Sequence, residues 1–249
     1  MQPTSALDDR AAFTAAFAAD LADTLRRRPR QIPSTYLYDE LGSALFEAIC
    51  RLPWYRITRA ESSMLVRHAR EIFRSLPRPV SLAELGCGSG EKIALLASAA
   101  GDRFPLIQLI DISQAALDMA RYRLQAIGMR AVMTHHVAYE QGLVLATQHR
   151  PRDGSLVVLF LGSNIGNFAP AVAHDLLSRI RRSLRPGDAL LLGTDLVKPE
   201  PELLLAYDDP LKVTAAFNRN LLRRINDELG GDFDLDGFTH QATWNAAEL

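Results

Sequence analysis

Apolar residues in this chain of 249 residues fall into short unbroken runs that alternate with stretches of helical spacing. Residues 80–85, 106–110, 131–137, 155–161 and 188–192 read as strands, each five to seven residues long. Between them, residues 91–100, 114–127 and 170–184 repeat their apolar positions with the period of a helix. Strands that are apolar throughout, rather than at every second position, are those covered on both faces. The repeated strand–helix unit therefore predicts an α/β fold with a doubly wound, mainly parallel sheet. In such a sheet, ligands sit at the carboxyl ends of the strands.

The flanks are read differently. Residues 7–28 form an Ala-rich helical stretch that opens with Asp8 and Asp9 and closes with Arg26, Arg27 and Arg28 before Pro29, so both ends complement a helix dipole. The arginine run is read as helix-end charge rather than an anion-binding patch. From residue 31 to 58 aromatics crowd together: Tyr36, Tyr38, Phe46, Trp54 and Tyr55. Thr58 and Glu61 have the spacing of a capping box, which predicts a helix over 58–76. Another helix is expected over 213–229, ended by Gly230 and Gly231, with a β-like run over 239–244. Three parts follow: an aromatic N-terminal segment (1–60), a ligand-binding sheet domain (61–198), and a segment (199–249) forming a smaller lobe with the first. That lobe is expected to close over the sheet edge.

Composition narrows the partners. The chain is 48% hydrophobic and 23% charged, and 28 Lys+Arg against 29 Asp+Glu give a net charge of −1, which removes the general electrostatic drive toward nucleic acid or an anionic membrane. A small ligand is the expectation. Cys50 and Cys87 are too few for a disulfide scaffold and lack zinc spacing, and the six histidines, including His135 and His136, show no metal pattern. No metal is expected. The N-terminus lacks a basic region followed by an apolar core, and no apolar run approaches the roughly 18 residues of a membrane span. A reduced cytoplasm is therefore the expected location.

The chemistry begins after the first strand. Glu84, Gly86, Gly88 and Gly90 give the pattern E-x-G-x-G-x-G at a strand-to-helix turn, where glycines let backbone amides approach a ligand. A dinucleotide fingerprint requires glycine where Glu91 stands, which argues against a nicotinamide cofactor. The spacing resembles the cofactor loop of class I methyltransferases. Another nucleotide, or a purely structural turn, fits the loop taken alone. Asp111, 25 positions after Gly86, ends the second strand, where its carboxylate can take both ribose hydroxyls of an adenosine or cap the next helix. Lys92 can meet a cofactor carboxylate or remain a solvated helix lysine. After the strand over 155–161, Gly162, Ser163, Asn164, Gly166 and Asn167 line the sheet's carboxyl edge. Asn167 can hold a substrate carboxylate or amine, or form an Asx turn.

Over nearly its whole length the chain resembles the histidine-specific, S-adenosylmethionine-dependent Nα-methyltransferases that form hercynine in ergothioneine biosynthesis. The matching stretches are residues 38–43 with Leu45 and Phe46, 51–55, 58–61, 84–86 with Gly88, Glu91 and Lys92, and 160–167. They continue through 193–198, 206–209, 213–215 with Phe217 and Asn218, and 232–234. The resemblance implies a class I, Rossmann-like methyltransferase fold, S-adenosyl-L-methionine as cofactor, L-histidine as substrate, up to three methylations, and a monomer. It implies that Gly86, Gly88, Lys92 and Asp111 contact the cofactor, and that Tyr38 orients the reacting amine. Asn167 and Tyr207 correspond to residues holding the substrate α-carboxylate, Tyr55 to one lining the histidine pocket, and Phe46 and Gly162 to further parts of the substrate site.

Some positions depart from the family. Ala138 and Tyr139 stand where the family has an acidic residue and an aromatic against the adenine, so Tyr139 keeps a ring while Ala138 offers no side-chain acceptor. Asn164 replaces a common threonine. The imidazole-recognising Glu and Ser of the family's C-terminal part are not among these residues. Two other readings follow: a noncatalytic S-adenosyl-ligand-binding fragment, or an N-methyltransferase of another amino acid or small amine.

Overall fold

In the computed structural model, which describes residues 6–101 and 104–246, the chain divides into two compact units. One spans Cys50–Pro199; the other joins Met1–Ile49 to Glu200–Leu249. Tyr55 and the start of the 58–76 stretch thus lie in the first unit. The first five residues, read above for a leader, lie outside the described residues, as do the side chains of Asp8 and Asp9.

The Cys50–Pro199 unit is built on five parallel strands, β1 (Val80–Leu85), β2 (Ile107–Asp111), β3 (Val132–His136), β4 (Ser155–Phe160) and β5 (Ala189–Leu192), in the order β3-β2-β1-β4-β5. The order reverses between β1 and β4, which opens a crevice at their carboxyl ends. Alternate residues of the central strands feed two cores. Leu82, Leu109, Val157 and Leu159 join Leu65, Ala69 and Phe73 of α3 (Ile57–Arg74) and residues of α4 (Glu91–Ala100) and α5 (Gln114–Ala126). Leu85, Ile110, Val158 and Phe160 pack with α6 (Tyr139–Gln148) and α7 (Pro170–Ser183). Because both faces are covered, the strands carry continuous apolar runs, as the sequence pattern predicts.

The expected capping box is absent. The α3 helix starts one residue earlier, capped by Arg56 without a side-chain hydrogen bond, because the Glu61 carboxylate is drawn to other donors.

In the other unit, α1 (Ala6–Thr24) packs Phe17 and Leu21 against Tyr36 and against Leu221 and Ile225 of α9 (Val213–Leu229). The α1 helix ends before Arg26–Arg28, so the arginines lie beyond it and do not complement its dipole as expected. Phe17 and Tyr36 stack at 4.1 Å, and the buried Arg224 guanidinium donates to Tyr36 O at 2.8 Å. Two helices go unpredicted here, α2 (Glu40–Arg51) and α8 (Glu200–Tyr207). Residues 239–244 form no strand; instead His240 Nε2 donates to the Tyr207 carbonyl. Among the described residues no helix is long and apolar enough to cross a membrane.

Candidate active site

Backbone geometry makes the glycine loop. Gly86 and Cys87 both donate their amides to Ile110 O, at 2.8 and 3.1 Å, tying the end of β1 to β2. Gly86, Gly88 and Gly90 all have φ between +50 and +72, where L side chains are strained. A Cβ on Gly90 would lie 2.6 Å from Ala120 Cβ, so α4 can approach α5 only through a glycine. A Cβ on Gly88 would meet nothing within 4 Å, which marks the open side of the loop. Arg123 of α5 braces the turn by donating to Ser89 O and Oγ at 3.0 and 2.9 Å.

Asp111 closes the opposite side. Its Oδ2 accepts from the Gly88 amide and its Oδ1 from the Ser113 amide, each at 2.9 Å. Capping of α5 falls to Ser113, whose hydroxyl accepts from Ala116, so Asp111 is not the cap. Burial pushes the Asp111 carboxyl above the usual range, against the pull of the Ser113, Gly88 and Ile112 amides and of His136. Cys87 is buried in the same loop; desolvation and the charges of Asp111 and Glu84 push its thiol well up, so it is not a thiolate at neutral pH.

Lys92 is not a solvated helix lysine: its ammonium pairs with Glu61 Oε2 at 2.5 Å. Glu61 also accepts the Gly162 amide on both oxygens, at 2.9 and 3.0 Å. Behind them Glu84 is 2% exposed, and its Oε2 has no hydrogen-bond partner. Burial pushes its carboxyl up to about 8, with Lys92 lowering it and Glu61 and Asp111 raising it.

Beyond Gly162, Ser163 takes a left-handed conformation at φ 57 and leads into a 3₁₀ turn, Asn164–Asn167, with Asn167 exposed. Ala138 precedes α6, and the Tyr139 ring packs edge-on against Phe160 at 5.3 Å. The Tyr139 hydroxyl and the Asn164 amide both lie over Gly86. Tyr55 is buried at 8% exposure.

In the other unit, Tyr38, Phe46 and Phe217 form an aromatic triangle with centroids 5.6 to 6.0 Å apart. Asp39, next to Tyr38, is pinned: its Oδ1 accepts from Gly42 N at 2.6 Å and from Asn220 Nδ2 at 2.7 Å. Tyr207 ends α8 at 46% exposure.

Residues 17–249 match the model of a family described as histidine-specific methyltransferase, SAM-dependent. The chain belongs to this family. Histidine N-alpha-methyltransferase of Mycobacterium tuberculosis is 40% identical over 94% of this chain and 72% of its own length. The protein of that name in Mycolicibacterium smegmatis is 41% identical over the same shares. Ergothioneine biosynthesis protein 1 of Neurospora crassa is 30% identical over 86% of this chain, which spans 26% of that longer protein.

As a member of this methyltransferase family, the chain uses S-adenosylmethionine, and its parallel sheet is the class I, Rossmann-like domain. The residues present suit that group. The loop is open at Gly88, a carboxyl side chain stands at the end of β2, and a cation stands in the first turn of α4. Gly86, Gly88, Lys92, Asp111, Ala138 and Tyr139 gather at the carboxyl ends of β1, β2 and β3, while Gly162 and Asn167 follow β4. The sequence does not report the grouping of Phe217 with Tyr38 and Phe46, the Arg123 brace or the partners of Glu61. Glu84 carried a signal as the first residue of the glycine motif, but the burial of its carboxyl is a tertiary fact.

Proposed function

We propose that the chain transfers methyl groups from S-adenosylmethionine to the α-amino group of L-histidine, up to the trimethylated product hercynine, in ergothioneine biosynthesis. The observation that carries this reading is identity of 40% to a histidine N-alpha-methyltransferase along 94% of the chain. When bound, the cofactor supplies an electrophilic methyl on a sulfonium. The protein's task is then to orient the amine and exclude water, for which no covalent nucleophile is required.

In this reading Asp111 accepts the ribose hydroxyls, Lys92 meets the cofactor carboxylate, and the open face of Gly88 admits the nucleoside against the backbone. Gly86 and Tyr139 flank it, and Ala138 contributes backbone only. Asn167 and Tyr207 hold the substrate α-carboxylate, Gly162 and Tyr55 border the histidine site, and Tyr38 orients the amine. That amine must arrive neutral, so it gives up a proton, to water or a nearby acceptor, before each transfer. The ring of Phe46, already grouped with Tyr38 and Phe217, suits a product that gains a permanent positive charge.

The test is a mass-resolved assay of the purified chain with S-adenosylmethionine and each common amino acid in turn. Three successive methyl masses on histidine alone are expected. Methylation of other amino acids in preference to histidine would overturn the substrate, and no methylation of any amino acid would overturn the reading as a whole.

A further inference from the structure

The Glu61 carboxylate has no part in the roles proposed above, yet it ties α3 to two other segments at this edge of the sheet. It lies on α3, takes the Gly162 amide on both oxygens, pairs with Lys92, and sits where Gly193 leaves room for it. Gly162 leaves similar room for the ammonium: a Cβ there would lie 2.8 Å from Lys92 Nζ. With side-chain exposures of 13% for Glu61 and 20% for Lys92, the pair is shielded without being sealed.

We propose that Glu61 is a positioning residue for the amino-acid tail of the cofactor, holding the Lys92 ammonium at the Gly162 edge and away from Glu84, so that the ammonium is presented to the tail carboxylate. The inference rests on the reading that the tail lies at Lys92. An ammonium has three donors, so a bond to Glu61 leaves others for a ligand. Two carboxyl groups compete for the same cation, Glu61 and the buried Glu84, whose Oε2 has no hydrogen-bond partner. Burial keeps Glu84 protonated at neutral pH, so Glu61 is the anionic partner and fixes where the cation stands. Without the Glu61 charge, Lys92 would turn inward and ionise Glu84, and the tail would lose its counter-charge while the nucleoside site stayed intact.

The experiment compares two ligands by calorimetry: S-adenosylhomocysteine, which carries the tail, and 5′-methylthioadenosine, which has the same nucleoside without it. Glu61→Gln keeps the acceptor for Gly162 but removes the charge. It should weaken S-adenosylhomocysteine by about 10-fold or more and leave 5′-methylthioadenosine within about twofold. Lys92→Met should do the same, and the double variant should be no weaker than Lys92→Met alone, because Glu61 acts through Lys92. Glu61→Asp, which keeps the charge, should retain more affinity than Glu61→Gln. Equal loss for both ligands, no loss with Glu61→Gln, or additive losses in the double variant would overturn the inference. If Lys92→Met itself leaves S-adenosylhomocysteine binding unchanged, the tail does not lie at Lys92 and both readings fall. Weakening by Lys92→Met with an inert Glu61→Gln removes the inference alone.

Discussion

Gly193 lies so close against Glu61 that a Cβ on the glycine would fall 1.8 Å from the carboxylate Oε1. That oxygen is held by the Gly162 amide and its partner oxygen by Lys92, so it cannot swing aside without breaking those bonds. Gly193→Ala should therefore cost about 1–3 kcal/mol of stability through overpacking. It should also weaken S-adenosylhomocysteine, as removal of the Glu61 charge does. Thermal melting and calorimetry on one preparation check both; unchanged melting would show that Glu61 moves freely.

Asp111 has a carboxylate that already accepts two backbone amides. Asp111→Ala should raise the dissociation constant of S-adenosylhomocysteine by about 10- to 100-fold, the worth of hydrogen bonds to a charged acceptor. Since Gly88 would also lose its acceptor, 5′-methylthioadenosine should weaken in parallel. Calorimetry showing loss for only the ligand with a tail would move the ribose elsewhere.

Glu84 gives the ligand-free protein a specific pH dependence. Its folded carboxyl stands at about 8 against an ordinary 4.5, so the unfolded chain releases this proton first as pH rises. The associated stability is fully present below about 4.5 and is lost progressively as pH rises through about 8. Glu84→Gln removes the titration. The variant's melting temperature should gain on that of the parent across this window and level off above it. Parallel melting curves from pH 5 to 8.5 would show that Glu84 does not hold its proton.

Asn167 stands exposed in the 3₁₀ turn after β4. Asn167→Ala should raise KM for histidine by about 10-fold and leave S-adenosylhomocysteine binding unaltered. Steady-state kinetics at saturating cofactor provide the measurement. An equal loss of cofactor affinity would take Asn167 out of the substrate site.

The sheet was largely legible because burial on both faces writes itself into sequence as unbroken apolar runs. All five strands fall within a residue or two of their expected bounds, and α4 and α9 match theirs. The three unpredicted helices are illegible for definite reasons. Both α2 and α6 carry a glycine near the N-terminus, which lowers helix propensity. Both glycines make room for packing: a Cβ on Gly42 would lie 1.8 Å from Leu37 O in the preceding turn, and one on Gly142 would lie 2.2 Å from Ile110 Cγ2 of β2. The eight-residue α8 helix is too short to display a period. The glycine turn at Gly86 and Gly88 and the place of Asp111 at the end of β2 were legible because each follows directly from a strand end. Glu61 was misread as a cap because its partners are 31 and 101 positions away, and local spacing cannot report them.

The unit that pairs both ends of the chain sets an order of events during synthesis. Tyr36 waits for Arg224, 188 positions later, and Asp39 waits for Asn220, 181 positions later. The sheet unit needs nothing beyond Pro199 for its own strands and can condense while translation continues. The segment up to Ile49, with Phe17, Leu21 and Tyr36 in it, stays without its core until α9 leaves the ribosome. For that interval the nascent chain carries an uncovered aromatic segment ahead of the sheet unit, the kind of surface that chaperones engage.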